Sequence, residues 1–343
     1  MKTTLLFLSV FLSANLFGQN VYIPDANFKA YLVGNPAINT NGDDEIQVSE
    51  ASAFDGTIDC AYNGISDLTG IEAFTDFTDL DCQSNDLTSL NLTGCTALEW
   101  LDCQSNDLTT LDVSQNTALE HLNCGDCYYL TSPDLTGCTA LKWLDCSWNF
   151  YLTTLDVSQN TALEHLNCRN NQLTTLDVSQ NATLRYLNCS DNELASFDLT
   201  GCTVLEWLDC SRNHIISLDV SQNATLWYLE CHDNWLTCLN AANGNNTAMT
   251  TFISDDNNNL TCIEVDDTEW STTNWTSIGS QSSFSEDCNN DCSSSTVGIN
   301  ELSTSKNLIQ ILDLMGRETA FKPNTPLIYV YDDGSIEKVL TIE

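Results

Sequence analysis

Leucines and one cysteine recur in a fixed order along most of the chain, separated by polar positions. The stretch LEWLDCQSNDLTTLDVSQNTA, Leu98 to Ala118, shows the unit. Its skeleton L-x-x-L-x-C-x-x-N-x-L returns every 21 or 22 residues. A single unit cannot enclose side chains such as Leu98, Leu101 and Cys103, but stacked units share one core. The pattern predicts a solenoid of about ten stacked repeats.

Two columns of residues set the register of the repeats. The cysteine column holds Cys60, Cys82, Cys103, Cys124, Cys146, Cys168, Cys189, Cys210 and Cys231, and Ser254 takes its tenth place. An asparagine follows three residues after each member, except where Cys127 replaces it. This closely resembles the bacterial, internalin-like leucine-rich repeat, with cysteine where leucine is usual. The resemblance implies an α/β-type solenoid with a parallel β-sheet on its concave face and few or no long helices.

The sequence divides into segments of different texture. Residues 1–19 contain Lys2 and a short apolar run, as a secretory signal peptide does. Residues 20–56 read as a small helical N-terminal cap, because Phe28 and Leu32 have helical spacing. Residues 57–264 hold the repeats, 265–288 a C-terminal cap, and 289–298 a serine-rich linker. No later stretch is apolar enough to span a membrane.

Residues 299–343 alternate apolar and polar positions between turn residues, which predicts a small antiparallel β domain. The elements LDLMGRE and IYVYDDGSIEKVLTIE resemble the C-terminal sorting domain of the type IX secretion system of Bacteroidetes-type bacteria. That resemblance implies contact with this secretion machinery, export across the outer membrane and removal of the domain. The protein would then be attached to the cell surface or released. The alternative is a β cap that completes the solenoid.

The chain is strongly acidic, with 48 Asp or Glu against 10 Lys or Arg and a net charge of −38. Such a surface repels phosphate backbones and anionic lipid, which disfavours nucleic-acid and membrane-surface partners. Cationic or neutral partners, or partners bridged by divalent ions, remain plausible. A merely solvated surface is the alternative, and we expect a monomer.

The 17 cysteines fall into classes by repeat position. Those of the cysteine column point inward and are expected to be buried thiols. Cys238 and Cys262 occupy the same place in adjacent repeats, one strand spacing apart, which predicts a disulfide between them. Zinc is the rival for the cysteines near this end, but the chain lacks CxxC pairs with matching partners.

The segment NTNGDDEIQVSE resembles the calcium loop of an EF-hand. Counted from Asn39, the oxygen ligands fall at Asn41, Asp43, the carbonyl of Glu45 and Glu50, with Gln47 acting through water. Asp44 stands where such a loop prefers glycine. Calcium is therefore a possible cofactor, bound weakly; the alternative is a loop that only turns the chain.

The predicted concave face carries one aromatic or imidazole ring in each of seven consecutive repeats. This ring column is Trp100, His121, Trp143, His165, Tyr186, Trp207 and Tyr228. The next outward column, the polar column, includes Asp102, Asp145 and Asp209. Rings beside carboxylates suit a ligand with Lys or Arg side chains, through cation–π and ion-pair contacts, or a sugar chain stacked on the rings.

The same columns could instead be structural. Cross-strand ring pairs stabilise a sheet, and the repeats TALEWLDC and TALKWLDC show duplication of a two-repeat unit. No catalytic constellation or phosphate loop is visible, so an enzyme is not expected. The sequence thus favours an exported or cell-surface protein that binds an unknown protein or polysaccharide. The alternative is a mainly structural acidic surface protein without a dedicated ligand.

Overall fold

A computed structural model describes residues 18–289, 292, 308–312, 327–331 and 336–339 of the 343-residue chain. Most of the predicted signal peptide and most of the predicted linker lie outside the described residues. The repeats build one long parallel sheet, the main sheet, in which 11 strands follow each other almost entirely in chain order. Its strands are Thr57–Asp59, Asp79–Asp81, Trp100–Asp102, His121–Asn123, Trp143–Asp145, His165–Asn167, Tyr186–Asn188, Trp207–Asp209, Tyr228–Glu230, Thr251–Ser254 and Ser277–Ile278.

In each L-x-C step the leucine lies in a strand of the main sheet and the cysteine directly follows that strand, as at Leu101 and Cys103. Leu101 lies beside Leu122, which lies beside Leu144, so equivalent residues of successive repeats are neighbours. The fold is a leucine-rich repeat solenoid. Successive side chains of a strand point to opposite faces, which sends the leucines and cysteines inward and the ring and polar columns outward. All nine members of the cysteine column are fully buried.

The asparagine column joins neighbouring repeats through main-chain groups. Asn106 shows the arrangement: its side-chain nitrogen donates to the carbonyls of Cys82 and Cys103, and its oxygen accepts from the Leu87 amide. A buried carbonyl or amide without a partner costs about 1–3 kcal/mol, and Asn106 satisfies three such groups. Where Cys127 replaces asparagine, its thiol donates to the Cys103 carbonyl at 3.3 Å.

The chain leaves each strand through a residue with a left-handed backbone. Ten residues at equivalent positions share this conformation, with φ between 52° and 60°: Tyr62, Ser84, Ser105, Asp126, Trp148, Asn170, Asp191, Arg212, Asp233 and Asp256. This conformation is unfavourable for L-residues other than Asn, Asp and Gly. The sharp turn directs the following chain away from the sheet.

The return segments form two smaller parallel sheets. One contains Ser217–Asp219, Cys238–Asn240, Cys262–Glu264 and Ser283–Ser285, and the other contains Leu111–Asp112 and Pro133–Asp134. Glycine in the LTGC turns allows close packing, because a Cβ on Gly137 would lie 1.7 Å from the Ser114 carbonyl oxygen. Short 3₁₀ turns occupy Ile71–Ala73 and Asn246–Ala248.

A helix covers the first repeat, as the spacing of Phe28 and Leu32 predicts. It spans Ala26–Gly34, buries both side chains, and is capped by Asp25, whose carboxylate accepts from the amides of Asn27 and Phe28. A second short helix spans Val48–Ala51, and a third, Thr268–Asn274, lies near the other end of the stack.

The predicted disulfide between Cys238 and Cys262 is wrong. The structure pairs Cys238 with Cys292 and Cys262 with Cys288, with Cα–Cα distances of 5.6 and 5.9 Å. Cys238 and Cys262 are neighbours on adjacent strands, as expected, but Cys288 and Cys292, which follow the strand Ser283–Ser285, supply both partners. The other 13 cysteines are buried thiols.

The C-terminal segment forms a separate unit with three antiparallel strands, Leu308–Leu312, Leu327–Tyr331 and Ile336–Val339. The middle strand pairs with both others. This agrees with the antiparallel β structure that the alternating pattern predicts.

Candidate binding face on the main sheet

The seven rings of the ring column form one continuous stack across seven strands. Parallel pairing places each ring directly beside the next: Trp100 beside His121, and His121 beside Trp143. Neighbouring ring centroids are 4.0–5.2 Å apart and the ring planes differ by 5–20°. The sequence spacing thus predicts the column correctly, and the structure shows how tightly it is packed.

Stacking changes what these rings offer to a ligand. The five inner rings, from His121 to Trp207, have a ring against each face. Sugar stacking and cation–π contacts need a free face. Only the outer faces of Trp100 and Tyr228 remain free of a stacked ring. A ligand that crosses the middle of the column therefore meets ring edges.

The polar column runs beside the rings and is cross-linked by hydrogen bonds. The amide nitrogen of Asn123 donates to Asp102 at 3.0 Å, and that of Asn167 donates to Asp145 at 2.7 Å. Burial raises the pKa of Asp102, although hydrogen bonds to Gln104 and Asn123 oppose this change. Asp209 accepts from the main chain and hydroxyl of Ser211. The polar atoms are thus held in fixed positions beside the ring edges.

Both histidines of the ring column are held neutral. Burial lowers the pKa of His121, and it lowers the pKa of His165 to about 4. The indole of Trp143 separates the two imidazoles, with centroid distances of 4.0 and 5.1 Å. The structure therefore does not bring them together as ligands of one metal ion.

The predicted calcium loop closes on itself through its own oxygens. The side-chain oxygens of Asn39, Asn41 and Asp43 accept from the amides of Gly42, Asp43 and Glu45. Glu50 accepts from the main-chain amides of Thr40, Asn41 and Gln47. The Glu45 side chain pairs with Lys29 at 2.7 Å. Calcium binding here stays a prediction.

The structure also reveals a feature that the sequence reasoning missed, a cluster of exposed rings on two post-strand loops. The aromatic loop cluster consists of Tyr128, Tyr129, Trp148, Phe150 and Tyr151, whose exposed fractions are 39–52%. Both loops carry one extra residue before the next leucine, which makes two consecutive repeats 22 residues long. That insertion, filled both times by an aromatic pair, was the available signal.

The described residues contain no group of three or more His, Cys, Asp or Glu side chains arranged to hold a metal ion. Among the same residues, no helix is long and apolar enough to cross a membrane.

No protein-family model and no curated protein sequence matches the chain. Among solved structures, the functional domain of InlJ from Listeria monocytogenes, described as including a cysteine ladder, is 33% identical with a TM-score of 0.46. That match covers 72% of this chain and 66% of InlJ, slightly less than two thirds of that domain.

Other solved structures are similar at lower identity. A leucine-rich repeat protein from Leptospira interrogans is 21% identical, with a TM-score of 0.43 over 55% of this chain and 57% of that one. The ectodomain of the plant receptor kinase GASSHO1/SCHENGEN3 from Arabidopsis thaliana, in complex with CASPARIAN STRIP INTEGRITY FACTOR 2, is 20% identical. Its TM-score is 0.47 over 57% of this chain and 28% of that one.

Proposed function

We propose that this chain is an exported or cell-surface binding protein that recognises a protein or glycan ligand through the outward face of its main sheet. The observation that supports this proposal is the unbroken stack of seven rings beside fixed carboxylates and amides. The leucines and cysteines beneath this face are already buried, so the core does not require a column of rings above it.

The ligand would lie along the stack and use ring edges and carboxylates together. Ring edges carry the positive end of the ring quadrupole and attract oxygen atoms. Asp102, Asp145 and Asp209 accept hydrogen bonds, so a ligand with both hydroxyl or carbonyl oxygens and N–H or O–H donors fits this face. An extended peptide or a sugar chain has both kinds of group.

Arrays of glycans and of extracellular proteins, probed with the full chain, test the proposal. The matched variants are Trp143→His, since His121 and His165 already occupy this column, and the triple change Asp102→Asn, Asp145→Asn, Asp209→Asn, since Asn123, Asn167 and Asn188 occupy the other. Both should fold and lose the wild-type binding partners. Retention of all partners by both variants would exclude this face as the binding site.

A mainly structural role is the second candidate, and the double-sided stacking favours it. Each stacked pair contributes about 0.5–1.5 kcal/mol beyond its buried area. If stabilisation is the role, Trp143→Ala should lower the free energy of unfolding by about 1–3 kcal/mol while ligand retention on the arrays stays unchanged. Loss of ligand retention in the still-folded Trp143→His protein would contradict this candidate.

We also propose weak calcium binding by the loop from Asn39 to Glu50. Glu50 also accepts main-chain amides that hold the loop together, so Asp43→Asn is the better test. Millimolar calcium should raise the melting temperature of the wild type more than that of Asp43→Asn. Asp44→Asn, which removes a nearby charge outside the predicted ligand set, is the control. Equal shifts in all three proteins would assign the effect to the acidic surface in general.

A further inference from the structure

A cavity of about 400 Å³ opens beside Asn123 and Asp145 of the polar column, at the start of the loop that carries Asp126. The space is open because Gly125 has no side chain. Gly125 stands two residues after the polar-column position Asn123. Neighbouring repeats place Gln83, Gln104 and Ser147 at this position. We call this space the Gly125 cavity.

Hydrogen-bond acceptors line the floor of the Gly125 cavity. A Cβ on Gly125 would lie 3.3 Å from each of three oxygens: Asn123 Oδ1, Asp145 Oδ1 and the Ser147 carbonyl. Each of these oxygens already accepts a main-chain amide: Asn123 Oδ1 from Gly125, Asp145 Oδ1 from Ser147, and the Ser147 carbonyl from Asp126. The adjacent side-chain donors are also used, because the Asn123 amide nitrogen donates to Asp102 and the Ser147 hydroxyl donates to Asp145. A molecule that fills this space therefore has to bring its own donors.

The charge of the cavity is negative. Asp126 and Asp145 both line it, and neither carboxylate forms an ion pair within the described part of the chain. No Lys, Arg or His is among the lining residues. A cationic donor is thus favoured over a neutral one, and an anion is disfavoured.

One wall of the cavity is the indole of Trp148, which is 39% exposed. The guanidinium carbon of Arg169 lies 5.4 Å from the centroid of this ring, so the indole already makes one cation–π contact within the chain. Arg169 itself does not line the cavity. The cavity thus places the Trp148 ring beside two carboxylates. A cation bound there would form ion pairs and a cation–π contact.

The same ring connects the cavity to the aromatic loop cluster. Trp148 and Phe150 have centroids 6.1 Å apart, and Phe150 and Tyr128 are 4.9 Å apart. Unlike the inner rings of the ring column, these three meet at angles of 44–65°, so their faces are not covered by parallel neighbours. An exposed apolar patch of this kind commonly marks an interaction site.

We propose that the Gly125 cavity receives a Lys or Arg side chain of a partner polypeptide, and that the aromatic loop cluster packs against the apolar residue next to it. The ammonium or guanidinium would donate to the oxygens around Gly125 and to Asp126. No residue of the ring column lines this site, but it shares Asn123 and Asp145 with the polar column.

The test uses the full chain with ¹⁵N-labelled tryptophan, in which the eight indole N–H signals report on binding. The Trp148 signal is assigned with Trp148→Phe. The probe is acetyl-Gly-Arg-Leu-Gly-amide, and a matched peptide with citrulline in place of arginine removes only the charge. We expect the arginine peptide to shift the Trp148 signal in a saturable way, and the citrulline peptide to bind at least about threefold more weakly, the range of an exposed ion pair.

Two variants alter the site with residues that the chain uses at equivalent positions of other repeats. Gly125→Gln copies Gln104 and fills the cavity, and Asp126→Asn copies Asn170, which has the same left-handed backbone. Each should weaken arginine-peptide binding by about threefold or more. Ser211→Gln, in the same column but outside the cavity, is the control and should bind as the wild type does.

Two further measurements separate the proposal from a saccharide site. Arg169→Gln should strengthen binding of the arginine peptide, because it removes a nearby positive charge. Cellotetraose should leave the Trp148 signal unchanged. The proposal is overturned if the citrulline peptide binds as well as the arginine peptide, if Gly125→Gln and Asp126→Asn both bind normally, or if cellotetraose alone shifts the signal.

Discussion

The residue that ends each strand carries a conformational cost that the sequence pattern does not reveal. Ser84 and Asn170 occupy equivalent positions with the same φ of 54°. Serine pays more than asparagine in this left-handed region, because a short amide side chain tolerates it better. The strain at this left-handed position therefore differs between repeats, because it depends on which residue type occupies the position.

Exchanging these two residues tests that assignment. Ser84→Asn should raise the free energy of unfolding by up to about 1 kcal/mol, and Asn170→Ser should lower it by a similar amount. Denaturant titration measures both values. Changes of the same sign in the two variants would mean that local contacts, rather than backbone conformation, decide stability at this position.

Cys127 stands where other repeats have an asparagine. The Asn106 side chain donates to two carbonyls and accepts from one amide, whereas the Cys127 thiol donates to one carbonyl. The side-chain oxygen of Asn149, in the next repeat, has no hydrogen-bond partner, and the Leu130 amide donates to the Cys127 carbonyl. The repeat that departs from the pattern is thus also the repeat that presents Tyr128 and Tyr129.

At the scale of elements, the ring column has a pH dependence of its own. The pKa of His165 is about 4 in the folded protein, because the imidazole is buried in the stack. Its value in the unfolded chain is about 6.5. Since the unfolded chain binds the proton more readily, this histidine lowers stability as pH falls below about 6.5, and the loss levels off below about pH 4.

The variant His165→Tyr isolates this contribution, because Tyr186 shows that the column accepts tyrosine. Between pH 7 and pH 5 the melting temperature of the wild type should fall more than that of His165→Tyr. Tyr22→Phe, at a site that is 76% exposed, serves as a control for aromatic substitution. Parallel curves for wild type and His165→Tyr would show that the imidazole titrates normally in the folded protein.

The cysteine column makes a second prediction for an element. Burial raises the pKa of its thiols, to about 12 for Cys60, and direct pairing is absent among the 13 free cysteines. The native protein should therefore react slowly with iodoacetamide. Denatured without reductant, it should take up 13 alkyl groups, and mass spectrometry should find 17 after reduction. An uptake below 13 without reductant would indicate further disulfides in the stack.

The periodic elements could be predicted from sequence, and the non-periodic contacts could not. A repeat such as L-x-x-L-x-C fixes strand positions and register, because each repeat has to bury the same side chains. The partner of Cys238 lies at Cys292, beyond the last repeat, where no period specifies the path of the chain. Similarly, spacing places Trp143 between His121 and His165 but cannot tell that the rings stack face to face and cover each other.

At the scale of the whole molecule, the stack is a linear assembly with two specialised ends. The helix Ala26–Gly34 covers the first repeat, and the two disulfides hold the segment around Cys288 and Cys292 against the last strands. In a linear stack, each repeat contacts only its neighbours, so fraying starts at the ends. These end structures protect the core from solvent where no further repeat covers it.

The C-terminal strands belong to a compact unit of their own, which is what a separable sorting domain would require. The solenoid has its own terminal strands, Ser277–Ile278 and Ser283–Ser285. If residues 299–343 direct export, deleting Ile299 to Glu343 should leave a folded solenoid that accumulates in the periplasm. Cell fractionation measures its location, and the melting temperature should stay close to that of the full chain. A truncated protein that reaches the cell surface normally would refute the sorting role, and one that unfolds would support the β-cap alternative.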